Sequence, residues 1–202
     1  MNGQIPTVVL ASASAIRAQL LCNAGVDCTV APARVDEEEV KHSLRGEGAD
    51  AAAIADTLAE LKARHVAPRY PGALVVGVDQ VLDCQGTLFD KPPDLDHARA
   101  HLVALRGRTH ELVSAVSVLR DGDRLWHHID RARLTMRDFS DDFLDAHLAA
   151  IGEDALSSVG AYRLEGPGVQ LFARIEGDYF TILGLPLLPL LDFLRNHGVV
   201  GR

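Results

Sequence analysis

The stretch that most constrains this chain is Val8-Val9-Leu10-Ala11-Ser12-Ala13-Ser14-Ala15-Ile16-Arg17-Ala18-Gln19-Leu20-Leu21. Val8 to Leu10 is a short apolar run without alternation and reads as a buried strand, while Ala15 to Leu21 carries strong helix formers. Ser12 and Ser14 occupy the bend between them. A helix that starts straight after a buried strand aims its unpaired N–H groups and positive dipole end at whatever lies above the strand's carboxyl edge. Such a place suits a phosphate. Arg17 in the first turn adds a full positive charge, where a helix without a ligand gains more from an acid. An N-capping Ser14 with a solvated Arg17 accounts for the same residues.

The 202 residues, 48% of them hydrophobic, are enough for one domain or for two lobes sharing a core. No window is apolar for long enough to span a membrane, since the run from Ile182 to Leu191 contains Gly184, Pro186 and Pro189. The N-terminus does not read as a signal peptide, so a cytoplasmic protein is expected. Cys22, Cys28 and Cys84 lack zinc-type spacing and read as reduced thiols. A formal net charge of −8 argues against a broad basic face for nucleic acid. It leaves room for a small polyanion held by a few placed cations.

Further along, Cys28-Thr29-Val30 resumes a strand before the acidic run Asp36-Glu37-Glu38-Glu39. Glu38 and Glu39 read as a solvated helix start, whereas Asp36 and Glu37 follow a strand and loop, where oxygen ligands can also hold a hard cation. Ala49 to Val66 reads as an amphipathic helix with Ile54, Leu58 and Leu61 at helical spacing. Lys62 lies on or near that apolar stripe, either snorkelling to solvent or carrying its ammonium into a cleft. Ala73 to Val78 is the strongest strand and runs into Asp79-Gln80, so Asp79 is expected at a strand's carboxyl end, where open α/β sheets bind ligands. An aspartate capping the next turn is the plainer alternative.

Val81 to Asp83 and Thr87 to Phe89 read as a hairpin, and Pro92 holds Lys91 in an extended bend. A helix over Asp94 to Leu105, strands over Leu112 to Leu119, Arg124 to Ile129 and Arg131 to Met136, and a helix from Ser140 to Ile151 follow. The last third is punctuated by glycines: Gly160, then Gly166 and Gly168 after Glu165. Strands are expected over Val169 to Ile175 and Tyr179 to Leu183, and a closing helix over Leu187 to Leu194. Glycines around Glu165 let backbone approach a ligand, or simply serve turn dihedrals. The histidines show no metal-ligand spacing.

Taken together these residues resemble the Maf-like family of nucleoside triphosphate pyrophosphatases over nearly the whole chain. The resemblance rests on Leu10-Ala11-Ser12-Ala13-Ser14 with Arg17, Leu58-Ala59 with Lys62-Ala63, and Gly77-Val78-Asp79-Gln80. It continues in Asp90-Lys91-Pro92, Leu105-Arg106-Gly107-Arg108-Thr109-His110, Gly160-Ala161-Tyr162 with Glu165-Gly166, and Gly184-Leu185-Pro186-Leu187. It implies a single domain over residues 1–202 with a two-lobed α/β fold, a long mixed β-sheet, flanking helices and a central cleft. It also implies a metal-dependent cut between the α- and β-phosphates that releases a nucleoside monophosphate and pyrophosphate.

The family's functional positions fall on Ser12, Arg17, Glu37, Lys62, Asp79, Lys91 and Glu165. Arg17, Lys62 and Lys91 would neutralise the polyphosphate. Glu37 and Asp79 would hold Mg²⁺ or Mn²⁺, with Asp79 also orienting or deprotonating the attacking water. Ser12, Ser14, Arg17, Gln80 and Glu165 make up the expected substrate contacts. A homodimer is suggested by the resemblance alone; no nucleic acid or membrane partner is expected.

Two departures bear on the substrate. Many members read Ser-Pro-Arg-Arg in the first bend, while this chain has Ser14-Ala15-Ile16-Arg17 and so lacks one guanidinium. The branch acting on dTTP and UTP resembles a Gln pattern at the position of Glu165, and more often has Thr at Gln80. An ionised Glu only accepts hydrogen bonds, which suits the N1 and N2 donors of guanine. The branch hydrolysing 7-methyl-GTP resembles this chain in the Glu, in the Asp-Gln pair and in lacking the first Arg. Expected is therefore a pyrophosphatase acting on 7-methyl-GTP or another modified guanine nucleotide; the alternatives are a dTTP/UTP or broad-specificity enzyme, or a low-turnover nucleotide-binding regulator of septum formation. A Rossmann dinucleotide domain is disfavoured because no Gly-x-Gly-x-x-Gly follows the first strand.

Overall fold

The computed structural model describes residues 5–201. Its seven-stranded mixed sheet runs in the order β2-β1-β3-β5-β6-β7, with β4 added to β3. The strands are β1 (Val8–Ala11), β2 (Cys28–Val30), β3 (Leu74–Cys84), β4 (Thr87–Phe89), β5 (Thr109–Arg120), β6 (Asp123–Met136) and β7 (Phe172–Glu176). β1 pairs in parallel with both β2 and β3, while β3 with β4 and β6 with β7 are antiparallel. The helices are α1 (Ala15–Asn23), α2 (Glu37–Gly46), α3 (Ala51–Val66), α4 (Leu95–Leu105), α5 (Asp141–Ile151), α6 (Tyr179–Ile182) and α7 (Leu187–Asn196). Among the described residues no helix is long and apolar enough to cross a membrane.

The chain forms two compact units, and β3, β5 and β6 each contribute residues to both. The first holds residues 5–80, 114–130 and 179–201. Side-chain alternation explains its layering, because successive residues of a strand point to opposite faces. Val8, Leu10, Leu74, Val76 and Val78 pack with Leu20 and Leu21 of α1 and with Leu190, Phe193 and Leu194 of α7. Val9, Ala11 and Val75 pack instead with Ala63 and Val66 of α3. Both faces of β1 and β3 are thus covered, which is why these strands read as unbroken apolar runs.

The second unit holds residues 81–113 and 131–178. Its hairpin turns at Gln85 and Gly86, both with positive φ, and α4 starts on an Asp94 N-cap that accepts from the His97 N–H. Inside it, Tyr162 Oη and His110 Nε2 lie 2.7 Å apart, and the Tyr162 ring meets Phe172 edge-on. Burial pushes the His110 imidazole down to about 4, so it sits neutral at neutral pH.

Four expectations are corrected. β3 does not end at Val78 but runs unbroken to Cys84, so Asp79 lies within a strand. Arg124 to Met136 is one strand without interruption. Tyr179–Ile182 is a short helix, although its aromatic and β-branched residues favour a strand, and Pro167–Leu171 is a 3-10 turn that delays β7 until Phe172. Tertiary hydrogen bonds to the end of α6, described below, outweigh its local preference.

Candidate active site

The site of the first unit begins where β1 stops. Ala11 is level with Gly77 of β3, and beyond that pair β3 continues alone on this side, so Asp79 emerges past the end of its neighbour. The bend after β1 is stabilised from within. Ser14 is the N-cap of α1, accepting from the Arg17 N–H, and the buried Ser12 Oγ accepts from the Ser14 N–H at 3.2 Å.

Arg17 closes this corner. Its Nε donates to Gly184 O at 2.8 Å, and its Nη1 donates to Ser12 Oγ and Val78 O, each at 3.2 Å. One guanidinium therefore joins the first bend, β3 and the turn after α6. Burial lowers the Arg17 pKa, while Asp79 and Glu37 act to hold the charge on it. A Cβ at Gly184 would lie 3.0 Å from Arg17 Nη2, and its φ of +88° is a backbone state that suits glycine.

Asp79 and Lys62 meet through an unusually close contact of helix and strand. A Cβ on Gly77 would fall 2.0 Å from Ala59 O and 2.9 Å from Ala63 Cβ, so α3 lies directly on the strand only because position 77 has no side chain. Lys62 is on that face of α3, and Asp79 is on the same face of β3 as Gly77. The ammonium is 2.6 Å from Asp79 Oδ1 and 2.8 Å from Glu37 Oε1. Lys62 and Asp79 are 8% and 3% exposed, so this pair is shielded from solvent. Of the two readings of Lys62, the inward one holds.

Glu37 reaches Lys62 from the first turn of α2. Asp36 does not compete for that role: it is the N-cap of α2 and accepts from the Glu39 N–H at 3.0 Å. Asp79 Oδ2 is buried without a hydrogen-bond partner. Burial pushes the Asp79 carboxyl above the usual carboxylate range, with Glu37 adding to the effect and Lys62 and Arg17 opposing it. A buried carboxylate oxygen facing no donor, beside a second carboxylate, suits a hard divalent cation. No group of three or more His, Cys, Asp or Glu gathers for a metal among the described residues, so phosphate oxygens or water would complete the shell.

Gln80 follows Asp79 but lies on the other face of β3. Its Nε2 donates to Ser114 Oγ and Thr181 O at 3.0 Å and to Ile182 O at 3.1 Å. Its amide hydrogens are spent inside the protein. Sequence reasoning missed Ser114 and Thr181; the signal was two serines, Ser114 and Ser117, in the otherwise apolar run from Leu112 to Leu119 of β5.

Lys91 and Glu165 belong to the second unit. Lys91 is exposed in the bend after β4, next to the buried Pro92. Glu165 sits between two 3-10 turns and accepts from Arg163 Nε at 2.9 Å, and Arg163 also lies 3.3 Å from Asp154. That pairing keeps the Arg163 pKa high. The structure thus brings together Ser12, Ser14, Arg17, Glu37, Lys62, Asp79 and Gln80 in one unit and places Lys91 and Glu165 in the other.

A family model described as Maf-like protein matches residues 7–197. The chain is 57% identical over 190 residues to a protein of Granulibacter bethesdensis named nucleoside triphosphate pyrophosphatase, covering 94% of this chain and 96% of that one. It is 58% identical over 190 residues to a protein of the same name from Paramagnetospirillum magneticum, covering 94% and 98%. It is 51% identical over 193 residues to a protein of Mesorhizobium japonicum named 7-methyl-GTP pyrophosphatase, covering 96% and 97%. With a family model matching residues 7–197 and relatives 51–58% identical over nearly its whole length, the chain belongs to the Maf-like family.

Proposed function

We propose that this protein hydrolyses nucleoside triphosphates between the α- and β-phosphates, releasing a nucleoside monophosphate and pyrophosphate, with 7-methyl-GTP as its preferred substrate. The observation that carries the reading is the buried Lys62 ammonium shared by Asp79 and Glu37, with Asp79 Oδ2 left unpaired beside Arg17. A purely structural ion pair has no need of a second acid or of an unsatisfied oxygen, each of which costs stability in a buried place.

The division of labour follows from the geometry. Arg17 and the N-terminus of α1 offer positive charge and N–H donors to phosphate oxygens. Lys62 holds Asp79 Oδ1 and so fixes the carboxylate plane, leaving Oδ2 to accept a proton from, or orient, a water. Burial raises the basicity of Asp79, as a base working near neutral pH requires. Glu37 and Asp79 would hold Mg²⁺ or Mn²⁺, which when bound would supply charge neutralisation at the phosphates and a more acidic water. Lys91 as a further cation for the polyphosphate and Glu165 as an acceptor for the base rest on the resemblance alone; Glu165 Oε1 accepts from Arg163 Nε, and an ionised carboxylate has further acceptor sites to offer.

The names of the relatives support hydrolysis of a triphosphate and include both a general and a 7-methyl-GTP assignment. The test is a nucleotide panel with Mg²⁺ or Mn²⁺, products separated by ion chromatography. Monophosphate and pyrophosphate in equal amounts, formed fastest from 7-methyl-GTP, are expected. Orthophosphate as the first product would reject the cleavage position, and faster turnover of UTP would reject the base assignment.

A further inference from the structure

We propose that Gln80 is a positioning residue that acts through Arg17 rather than a reader of the nucleotide base. α6 is a single turn, and its terminal carbonyls have no partner within so short a helix. The sheet supplies the partners. Gln80 Nε2 donates to both Thr181 O and Ile182 O, and Ser114 Oγ donates to Thr181 O at 2.9 Å. Thr181 O also accepts the Gly184 N–H at 3.0 Å, which closes the turn, and Thr181 Oγ1 donates to Asp130 Oδ2 at 2.7 Å. The turn thus fastened presents Gly184 O, which accepts from Arg17 Nε at 2.8 Å.

The path from Gln80 to the guanidinium is short and made of direct hydrogen bonds. It explains why an amide is needed: only Asn and Gln offer two N–H donors on one neutral atom, and Gln alone of the two has this reach. It also explains why Gln80 is not aimed at a ligand. Alternation along β3 sends Asp79 to the α3 face and Gln80 to the α6 face. With Ile16 in place of a second arginine in the first turn, Arg17 is the one guanidinium of that turn, and its orientation matters accordingly.

The inference rests on the phosphate-binding reading of Arg17, and its test separates the two. Binding of inorganic tripolyphosphate, which has no base, is measured by calorimetry for the wild type, Gln80→Met, Arg17→Ala and the double variant, alongside wild-type hydrolysis of the nucleotide panel. Gln80→Met is expected to weaken tripolyphosphate about tenfold or more, as loss of a charge-assisted contact does. In the Arg17→Ala background the same change should cost less than twofold. Ser114→Ala, a milder lesion of the same turn, should weaken binding in the same direction and also lose its effect without Arg17. Additive effects would overturn the inference, as would unchanged tripolyphosphate affinity in Gln80→Met with altered base preference. A wild type that hydrolyses no nucleotide would instead count against the proposed reaction while the binding cycle still judges Gln80. A thermal midpoint on each variant identifies one that has failed to fold; Ser114→Ala then carries the cycle.

Discussion

Asp79 and Gln80 are neighbours in the chain but serve opposite faces of β3: one takes the Lys62 ammonium from α3, the other the carbonyls at the end of α6. One strand therefore supports both sides of the site, the acid on one face and the fastening of Arg17 on the other. Removing the acid should affect chemistry far more than binding. Asp79→Asn is expected to lower kcat by about 10²–10⁴-fold, the range for loss of a general base, with triphosphate affinity measured without metal changed little. Single-turnover hydrolysis and calorimetry on the same preparation check it; an unimpaired kcat would remove Asp79 from the mechanism.

The approach of α3 to β3 depends on the bare backbone at Gly77. Gly77→Ala would put a methyl 2.0 Å from Ala59 O, and backbone on both sides cannot move aside as a flexible side chain can. Destabilisation of about 1–3 kcal/mol or more is expected, typical of an overfilled core. As α3 is pushed away, Lys62 loses its fit to Asp79, so hydrolysis should fall even where the variant is fully folded. Urea unfolding and kinetics at low temperature separate the two effects. A variant of wild-type stability and activity would show that α3 is not held in this register.

Much of this was legible in the chain. Val8 to Leu21 announced a strand, a bend and a helix start because propensity, capping and the apolar run agree there. The helix with Lys62 was equally plain from its spacing. The extent of β3 was not. Asp79-Gln80 looks like a strand end because polar residues in a covered strand need partners that are remote in sequence: Lys62, 17 positions back, and the carbonyls of Thr181 and Ile182 about a hundred positions on. The same remote bonds turned Tyr179–Ile182 into a helix. Asp36 and Glu37 were indistinguishable until the helix start showed that one caps and the other reaches Lys62.

His110 gives the second unit a pH dependence of known sign. Burial holds its pKa at about 4 in the folded protein against an ordinary 6.5, so between those values the unfolded chain binds a proton that the folded chain refuses. Stability from this group is complete above about 6.5 and is lost as pH falls toward 4, by about 3 kcal/mol. Urea unfolding from pH 7 to pH 4 should show that loss in the wild type, and a correspondingly shallower slope in His110→Gln. Parallel slopes would mean that the imidazole is not shielded as its burial and its Tyr162 contact imply.

Metal binding can be read without turnover. Glu37 and Asp79 already share one cation, Lys62, and Asp79 Oδ2 remains free to accept another. A divalent ion that binds the folded chain alone must raise its melting temperature by mass action: at a hundredfold excess over its Kd about 2.7 kcal/mol, or about 5–10 °C for a chain of this length. Mn²⁺ or Mg²⁺ with a non-hydrolysable triphosphate should produce that shift in the wild type. Asp79→Asn should abolish the metal-dependent part, and Glu37→Gln should reduce it, because an amide oxygen is a weaker ligand for a hard cation than a carboxylate. A shift of equal size in all three proteins would place the metal elsewhere and leave Asp79 Oδ2 with only water to serve.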